Sequence, residues 1–551
     1  QGYFSAMADG GIKWIKGFAW RIQGTVKKGG NAKTPGYWLA NSGSEEMNFS
    51  LTAGWKRKQS STELFYSFFN TKLGIFSGSH IGNVTDLMLA INSDMPPVYI
   101  RDATFSYKIQ RPYQHVQHQL FKLKSIHNLN DQNKINIVFS LQNNDRREYD
   151  IVRSPRKTPQ LELALFTSAL DASWDHVVNT KLKGTVGVFS SYQLNKINYR
   201  YFLPNYQNYD AGIFLIEKYT EGNWIVETGL RYDFKGIFDI HDNDPSPYDQ
   251  YLGNALQSGL HFGKRNYSGL SGNFGFKYNL KNWIFNFNYG SAWRNPQPNE
   301  LFSDGLHHGA ARIEKGQYQL LPERSHAVSG GVEFTNGSLV LDGSIFYKFI
   351  NDYIFLKPSY PPLLTIRGAF PVFIFDQSDI RMHGMDLSAS YTISNHYKFA
   401  GKTSIIRAYD VKAKDWLIQM PSDRYEISGE YLFHDQKNFK ETYLRLEVQN
   451  VSRQKRFPLT GNIEVKDTFG NISMQADYLL PPSGYSLMNM EIGTSIEVNH
   501  RFLSFIISAN NLLNVKYRDY MNSFRYFSDE VGRNIVLRIK VPLEIEKSKH
   551  I

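Results

Sequence analysis

The sequence predicts an all-β fold, namely a transmembrane antiparallel β-barrel of 22 strands with about 21 of them present in these 551 residues. Three observations carry this prediction: apolar and polar residues alternate with a period of two, the alternating segments are longer than soluble strands, and tight turns alternate with long connections. No apolar run approaches the roughly 18 residues that a membrane-spanning helix needs. Helical membrane spans are therefore excluded.

The alternation gives each predicted strand one apolar and one polar face. The segments WIFNFNYG (283–290) and TYLRLEVQN (442–450) show it clearly. In EEMNFSLTAGWKR the apolar side chains fall on every second position, at Met47, Phe49, Leu51, Ala53 and Trp55. The chain holds 38 Phe, 34 Tyr and 9 Trp, yet its mean hydropathy is −0.42. This combination fits strands that face lipid on one side and water on the other.

The length of these segments separates two kinds of all-β protein. Soluble strands average about 5–6 residues, whereas strands that cross a bilayer need roughly 9–11. Several segments here, such as 45–57, 161–176 and 380–395, run for a dozen residues or more. We predict strands at 3–15, 18–28, 45–57, 62–75, 114–130, 133–147, 161–176, 178–193, 211–220, 222–235, 266–280, 282–294, 324–335, 338–351, 380–395, 397–408, 422–435, 440–451, 487–499, 501–511 and 535–545.

The connections between these strands alternate between tight turns and long polar loops. The tight turns include KG at 16–17, DQ at 131–132 and NG at 336–337. Outer-membrane barrels have this asymmetry, with short periplasmic turns and longer extracellular loops. The long connections are predicted at 76–113, 236–265, 296–323, 353–379 and 453–486.

The number of strands predicts a further strand outside the sequence. Bacterial single-chain barrels have an even number of strands. The first predicted turn, 16–17, is short and therefore periplasmic, so the strand at 3–15 descends from the outside. A strand rising from the periplasm should precede it. We therefore expect 22 strands, with the first one upstream of residue 1.

Composition and motifs exclude several other classes of protein. The net charge of +11 comes from scattered residues, whereas nucleic-acid binding would need a concentrated basic stripe or a recognisable module. The absence of cysteine excludes a disulfide framework, a thiolate metal site and a cysteine nucleophile. No G-x-S-x-G elbow and no H-E-x-x-H motif occurs. The chain is therefore predicted not to be an enzyme, although a barrel hydrolase with a Ser–His pair distant in sequence stays open.

Several stretches resemble the barrel of TonB-dependent outer-membrane receptors, most closely those of the Bacteroidetes, over essentially the whole chain. One is PNELFSDGLHHGAARIEKG at 298–316 with LPERS at 321–325, and another is NNLLNVKYRDYM at 510–521 followed by GRNIVLRIKVPL at 532–543. Further matching stretches are FAWRIQGTVKKGGNAKTPGYWLANSG at 18–43, LGIFSGSHIGN at 73–83 and RPYQHVQHQL at 111–120.

The resemblance implies a location in the outer membrane of a Gram-negative bacterium. It also implies energised uptake of a scarce solute, with outer-membrane lipid, the TonB complex, a small-molecule chelate and a surface lipoprotein as expected partners. The family's N-terminal plug and TonB-contacting box have no counterpart in this sequence. Residues 1–551 are therefore expected to form one barrel domain, with the plug and the first strand upstream. A lumen this wide has to be plugged.

The candidate substrate contacts lie in the stretch LFSDGLHHGAARIE, residues 301–314. Imidazole is the commonest metal ligand in proteins and an axial ligand of haem iron. Haem receptors that resemble this chain place a histidine between a FRAP-like and an NPNL-like box, positions that AWRNP at 292–296 and YQLLPE at 318–323 occupy here. The resemblance thus implies His307, His308 and Arg294 as substrate contacts. The alternative is that GLHHG is loop architecture shared by receptors of many substrates.

Other candidate positions have structural alternatives. His115 and His118 are three residues apart, so they face opposite sides of a strand, and only His115 is a candidate for the lumen surface. The carboxylates of DNDPSPYDQ at 242–250 could bind Ca²⁺ or belong to a solvated loop. Aromatic residues near strand ends fit an interfacial girdle better than a ligand-stacking site: Trp14, Trp20, Trp55, Trp283 and Tyr431.

Two functions follow as hypotheses. The first is a TonB-dependent importer of a siderophore, haem, cobalamin or another metal chelate, whose solute is captured by the loops 76–113, 236–265, 296–323 and 453–486. Haem or a ferric chelate would then be the transported ligand and not a resident cofactor. The second is a plug-free barrel that serves as a binding or scaffold subunit of a larger outer-membrane assembly. An upstream plug and TonB box would favour the first hypothesis.

Overall fold

The computed structural model describes residues 1–93, 103–151, 157–239, 264–365, 368–458, 463–466, 472–475, 480–498 and 501–543. The strands of the first half are β1 (Gly2–Gly11), β2 (Phe18–Gly29), β3 (Ser44–Lys56), β4 (Ser60–Gly74), β5 (Tyr113–Asn128), β6 (Asn133–Tyr149), β7 (Leu161–Val177), β8 (Leu182–Tyr199), β9 (Tyr206–Glu221), β10 (Trp224–Asp239), β11 (Lys264–Leu280) and β12 (Trp283–Arg294). The second half contributes β13 (Asp304–His307), β14 (Arg312–Lys315), β15 (Glu323–Asn336), β16 (Leu339–Thr365), β17 (Gly368–Thr392), β18 (Tyr397–Asp410), β19 (Asp415–Trp416), β20 (Arg424–Leu432), β21 (Phe439–Val451), β22 (Ile463–Lys466), β23 (Ile472–Gln475), β24 (Tyr485–Val498), β25 (Arg501–Asn510) and β26 (Asn534–Lys540).

One sheet of 24 strands forms the molecule, and β22 pairs with β23 apart from it. Three of the 24, namely β13, β14 and β19, are short segments of the loops, and the other 21 form the wall. Each wall strand pairs antiparallel with the wall strand that follows it along the chain. The predicted antiparallel barrel is confirmed, and each of the 21 predicted segments has a counterpart among the wall strands.

The two end strands of the wall have one neighbour each. Within the described ranges β1 pairs with β2 alone, and β26 pairs with β25 alone. Closure of the wall through one further strand, which the even-number argument places upstream of residue 1, stays a prediction.

The wall carries the apolar face that the alternation predicts. Ile22 on β2 lies opposite Leu51 on β3, and Val26 lies opposite Met47. All four side chains point away from the protein and are exposed. Cross-strand apolar pairs of this kind form a continuous surface for lipid. The 13 to 18 residues of most strands in the first half exceed what the bilayer requires, so the wall extends beyond the membrane.

Tight turns close one end of the wall, as predicted. Two to four residues separate the paired strands at 57–59, 129–132, 178–181, 222–223, 281–282, 337–338 and 393–396. In the turn between β1 and β2, Gly17 has φ +78°, and a Cβ there would lie 2.0 Å from the carbonyl oxygen of Lys56. This close approach is why the turn takes glycine. The opposite end carries the long connections, although the β8–β9 connection has only six residues, 200–205.

The predicted loop at 353–379 is wrong, because β16 and β17 continue through it as one long hairpin. The ladder shifts register between Ile350 and Tyr353 and again between Ser359 and Leu363. The second shift leaves Tyr360, Pro361 and Pro362 out of the pairing. Since proline cannot donate a backbone hydrogen bond, it is tolerated at such an irregularity, and the strand continues past the point where the sequence predicts its end. The predicted loops 76–113, 236–265 and 453–486 lie partly outside the described residues.

Described parts of several connections pack together at the loop end of the barrel, and we call this assembly the cap. Residues of the β4–β5 connection, the β16–β17 hairpin and the β25–β26 connection share one buried apolar cluster, made by Phe76, Ile81, Leu87, Ala90, Ala311, Ala369, Phe373, Tyr526 and Phe527. A short bridge pairs Ile81 with Ala369 near the hairpin tip. The cap therefore holds the loops in fixed positions and leaves the outer wall surface to the membrane.

In the described part of the chain, two α-helices lie among the connections, α1 (Val84–Asn92) and α2 (Pro298–Phe302). The side chain of Asn83 caps α1 by accepting a hydrogen bond from the backbone nitrogen of Asp86 at 2.8 Å. None of the helices in the described part of the chain is long and apolar enough to cross a membrane.

Candidate functional site

The base of the 295–322 connection is fixed by Arg294 at the end of β12. Its Nη1 lies 2.8 Å from Glu300 Oε2, and its Nη2 lies 2.7 Å from Glu323 Oε1. The Glu300 carboxylate also accepts a hydrogen bond from the backbone nitrogen of Gln297 at 2.7 Å, and Pro298 opens α2. Arg294 therefore ties β12, α2 and β15 together, and its guanidinium is engaged by two carboxylates.

Beyond α2 the chain forms a small hairpin, β13–β14, which carries His307. Asp304 pairs with Lys315, and His307 pairs with Arg312. Strand β14 also runs parallel to β17, with Ile313 opposite Val372. Leu306 of β13 and Ile313 of β14 pack against Phe370 and Val372 of β17 in one buried cluster. The apolar face of the hairpin is thus packed onto β17.

His307 is held by a carboxylate on the opposite strand of this hairpin. Its Nδ1 lies 3.0 Å from Glu314 Oε1, and the Nε of Arg312 donates to the same oxygen at 2.9 Å. The Glu314 side chain is only 6% exposed. Burial alone would raise the pKa of Glu314, but the hydrogen bonds and charges of His307 and Arg312 outweigh burial and lower that pKa. Glu314 is therefore ionised at neutral pH.

This arrangement fixes the tautomer of the neutral imidazole. Since the Glu314 carboxylate can only accept, Nδ1 of His307 carries the proton and donates it. Nε2 then presents its lone pair, and among the described residues it has no hydrogen-bond partner. The His307 ring also packs against Phe202, with 5.9 Å between ring centroids. A histidine oriented by a carboxylate through one nitrogen is the arrangement that supports metal ligation through the other.

The backbone turns immediately after His307. His307 is the last residue of β13, and His308 begins the 3-10 turn His308–Ala310. The two histidines therefore do not alternate along one strand, as adjacent strand residues would. The description of His308 extends to its backbone alone.

Two arginines, Arg146 and Arg200, lie next to the hairpin. Arg200 Nη2 donates to the carbonyl oxygen of Leu306 at 3.1 Å, and Arg146 Nη2 lies 2.5 Å from Glu148 Oε1. A Cβ placed on Gly309 would be 3.6 Å from His307 Nε2 and 3.9 Å from Arg146 Nη2. Gly309 therefore lies between Nε2 of the imidazole and a guanidinium, where an added Cβ would make ordinary van der Waals contact with both.

The other positions singled out from the sequence lie apart from this hairpin. His115 Nε2 bonds Asn70 Oδ1 at 2.8 Å, whereas His118 Nδ1 bonds the Asn144 amide at 3.3 Å. Their different partners agree with opposite faces of β5. The carboxylates at 242–250 lie outside the described residues. Within the described ranges no group of three or more His, Cys, Asp or Glu residues could hold a metal ion.

The sequence did not indicate Glu314, Arg146 or Arg200 as parts of the site. Glu314 had a detectable signal, because the turn HGAA joins two short alternating segments, DGLH and RIEK. Recognising that hairpin would have placed Glu314 near His307. Arg146 and Arg200 come from the ends of β6 and β8, and no local pattern connects them with residue 307.

Comparison with known proteins gives a consistent result. The family described as TonB dependent receptor-like, beta-barrel, matches residues 50–512. The TonB-dependent heme receptor A of Haemophilus influenzae is 24% identical over 366 residues, which are 61% of this chain and 46% of that protein. The chain thus spans about half the length of this curated relative.

Solved structures share the fold at low identity. The copper transporter OprC matches with a TM-score of 0.72 at 13% identity, over 98% of this chain and 80% of that one. The FrpB iron transporter of Neisseria meningitidis matches with a TM-score of 0.67 at 16% identity, over 98% and 78%. The ferric citrate transporter FecA matches with a TM-score of 0.64 at 12% identity, over 97% and 74%. These relatives are receptors and transporters, not enzymes. The chain belongs to the TonB-dependent receptor family as an outer-membrane β-barrel of a Gram-negative bacterium.

Proposed function

We propose that this barrel belongs to an active importer that captures a scarce metal chelate at its loop end and passes it through the lumen with energy from the TonB complex. Among chelates, haem is the ligand we favour. The observation that carries this choice is the geometry of His307. Its Nδ1 is hydrogen-bonded to Glu314 at 3.0 Å, and its Nε2 can therefore bind iron. Haem iron takes an imidazole nitrogen as an axial ligand. The name of the Haemophilus influenzae relative supports the same choice.

The carboxylate behind the ligand favours iron over an uncharged solute. Ionised Glu314 holds the imidazole in one orientation through Nδ1, which strengthens a bond from Nε2 to a metal. An uncharged sugar or peptide has no metal for Nε2 to ligate, so the pairing of His307 with Glu314 would not strengthen its binding. The iron of a ferric siderophore already has a filled coordination shell, whereas the iron of ferric haem has axial positions that a protein side chain can ligate. Haem therefore uses the geometry of His307 more fully than a siderophore does.

The two other predicted contacts, Arg294 and His308, have different places in this proposal. Arg294 is engaged by Glu300 and Glu323, which supports a role in positioning the loop that presents His307. His308 stays a predicted contact. The plug and TonB box, expected upstream, would couple the barrel to the TonB complex, and a surface lipoprotein stays an expected partner.

Uptake by cells tests the proposed function. The full-length gene, including any upstream plug region, is expressed in a strain that lacks its own haem receptors, with haemin as the sole iron source. We expect growth that disappears when TonB is deleted. Growth independent of TonB, together with ion conductance of the purified barrel as an open pore, would contradict active import and favour the scaffold hypothesis.

A matched solute separates haem from other chelates in the same strain. Ferric citrate replaces haemin, with all other conditions unchanged. We expect growth on haemin and no growth on ferric citrate. TonB-dependent growth on ferric citrate alone would preserve active import but refute haem as the solute.

A further inference from the structure

A cavity lies in the cap, lined by residues outside the hairpin of His307. It has a volume of about 490 Å³ and lies between the C-terminal side of α1, the start of β24 and the β25–β26 connection. Small-molecule sites in proteins typically have volumes of about 300–1,000 Å³. The cavity is therefore of the size that a porphyrin or a similar aromatic molecule needs.

The lining of this cavity carries an excess of positive charge. Among the described lining residues, one carboxylate, Asp529, accompanies four cationic side chains, Arg453, Lys516, Arg518 and Arg525. Arg518 Nε lies 3.0 Å from Asp529 Oδ1 and Lys516 Nζ lies 3.8 Å from Asp529 Oδ2, so one carboxylate is shared by two cations. Arg453 is exposed and forms no ion pair among the described residues. A concave surface with such an excess attracts anions.

Aromatic rings form another part of the wall. Tyr485 and Tyr517 have ring centroids 4.3 Å apart with an angle of 39° between their planes. Burial, and then the charges of Glu530 and Asp519, raise the pKa of Tyr517, so its hydroxyl stays neutral and able to donate. Aromatic faces beside cations suit a flat ligand that carries acidic groups at its edge.

The cavity shares wall residues with a smaller cavity that lies against the hairpin of His307. Arg525 and Tyr526 line both, and the smaller cavity has a volume of about 40 Å³, with Ala310 and Arg312 among its other wall residues. Arg312 in turn contacts Glu314, the partner of His307. The two cavities therefore share part of a wall, and the smaller one reaches the strand of the hairpin that carries Arg312.

We propose that this cavity binds the carboxylates of an aromatic dicarboxylate of porphyrin size, with Arg453 and Lys516 as the principal anion contacts. The proposal rests on the proposed function, because it assigns to the imported chelate a recognition site that does not involve its iron. Binding at this site depends on the ligand's acidic groups, and ligation by His307 depends on its metal. The two can therefore be measured separately.

Binding of iron-free protoporphyrin IX to the full-length protein, followed by porphyrin fluorescence, tests the proposal. We expect the Arg453→Gln/Lys516→Gln variant to bind this diacid at least about tenfold more weakly than the wild type. The dimethyl ester of the same porphyrin should bind wild type and variant equally and weakly. Lys157→Gln, which removes an exposed cation from the β6–β7 connection, is the matched control and should bind the diacid normally.

The outcomes distinguish this proposal from the function on which it rests. His307→Ala should leave iron-free porphyrin binding unchanged, since no metal is present to ligate. A double variant that binds the diacid like the wild type, or a wild type that binds the ester as tightly as the diacid, would overturn the proposal. Neither result bears on ligation of haemin by His307. A normal Soret shift of the double variant at saturating haemin shows that the variant is folded.

Discussion

His307→Ala is expected to abolish the Soret shift that haemin undergoes on binding the full-length protein. The reason is the pairing of Nδ1 with Glu314 Oε1 at 3.0 Å, which leaves Nε2 as the nitrogen able to reach iron. The measurement is an absorption titration in detergent at neutral pH. His127→Ala is the matched control, because His127 lies on β5 near the tight-turn end, where Ser125 bonds its ring at 2.9 Å.

Companion variants sharpen this prediction. Glu314→Gln keeps the size of the side chain but removes the negative charge, and loss of such an outer partner typically weakens metal binding by about 10–100-fold. We expect a weakened but still detectable shift. A wild-type shift in His307→Ala would refute His307 as the ligand. If the shift is lost only in His307→Ala/His308→Ala, the ligand role passes to His308.

Phe370→Ala is expected to loosen the His307 hairpin without unfolding the barrel. Phe370 is fully buried between β17 and the hairpin, where it packs with Leu306 and Ile313. Removal of a buried phenylalanine side chain costs about 3–5 kcal/mol. Since this cluster holds the cap and not the wall, the cost should lower the free energy of local opening.

Hydrogen exchange of the 301–315 backbone measures this effect. A cost of about 3 kcal/mol corresponds to exchange roughly 100-fold faster wherever local opening limits the rate. Leu321→Ala is the control, because that side chain lies in the same connection but is 55% exposed. We expect the exchange of the wall strands to stay unchanged in both variants. Unchanged exchange at 301–315 in Phe370→Ala would show that the hairpin does not depend on this packing.

The barrel could be predicted from the sequence because its signals are local. Period-two alternation identifies a strand from a dozen neighbouring residues, and turns such as NG at 336–337 separate strands within a hairpin. Strand number, strand order and the asymmetry of the two ends all follow from these features. In the structure Asn336 ends β15 and Gly337 has φ +51°, as that turn requires.

The cap could not be predicted in the same way. The segment SYPP at 359–362 reads as the end of a strand, yet a register shift lets β16 pass the two prolines. Contacts from distant connections, such as the bridge of Ile81 to Ala369, stabilise the extended hairpin. Pairings between residues nearly 300 positions apart leave no periodic signal.

The site was predicted only in part for the same reason. The pair His307–His308 was visible because two adjacent histidines flanked by glycines are conspicuous. The partner that defines the chemistry, Glu314, lies across a turn of a short hairpin that the sequence suggested was irregular loop. Arg453 and Lys516 are unremarkable surface cations until the fold brings them to one cavity.

The most direct test of the central claim is the absorption spectrum of haemin added to the purified full-length receptor. The account predicts a Soret shift that saturates at a single haemin per barrel and has the form of a histidine-ligated ferric haem. A spectrum identical to that of free haemin in the same detergent would contradict the assignment of haem as the solute and of His307 as its ligand.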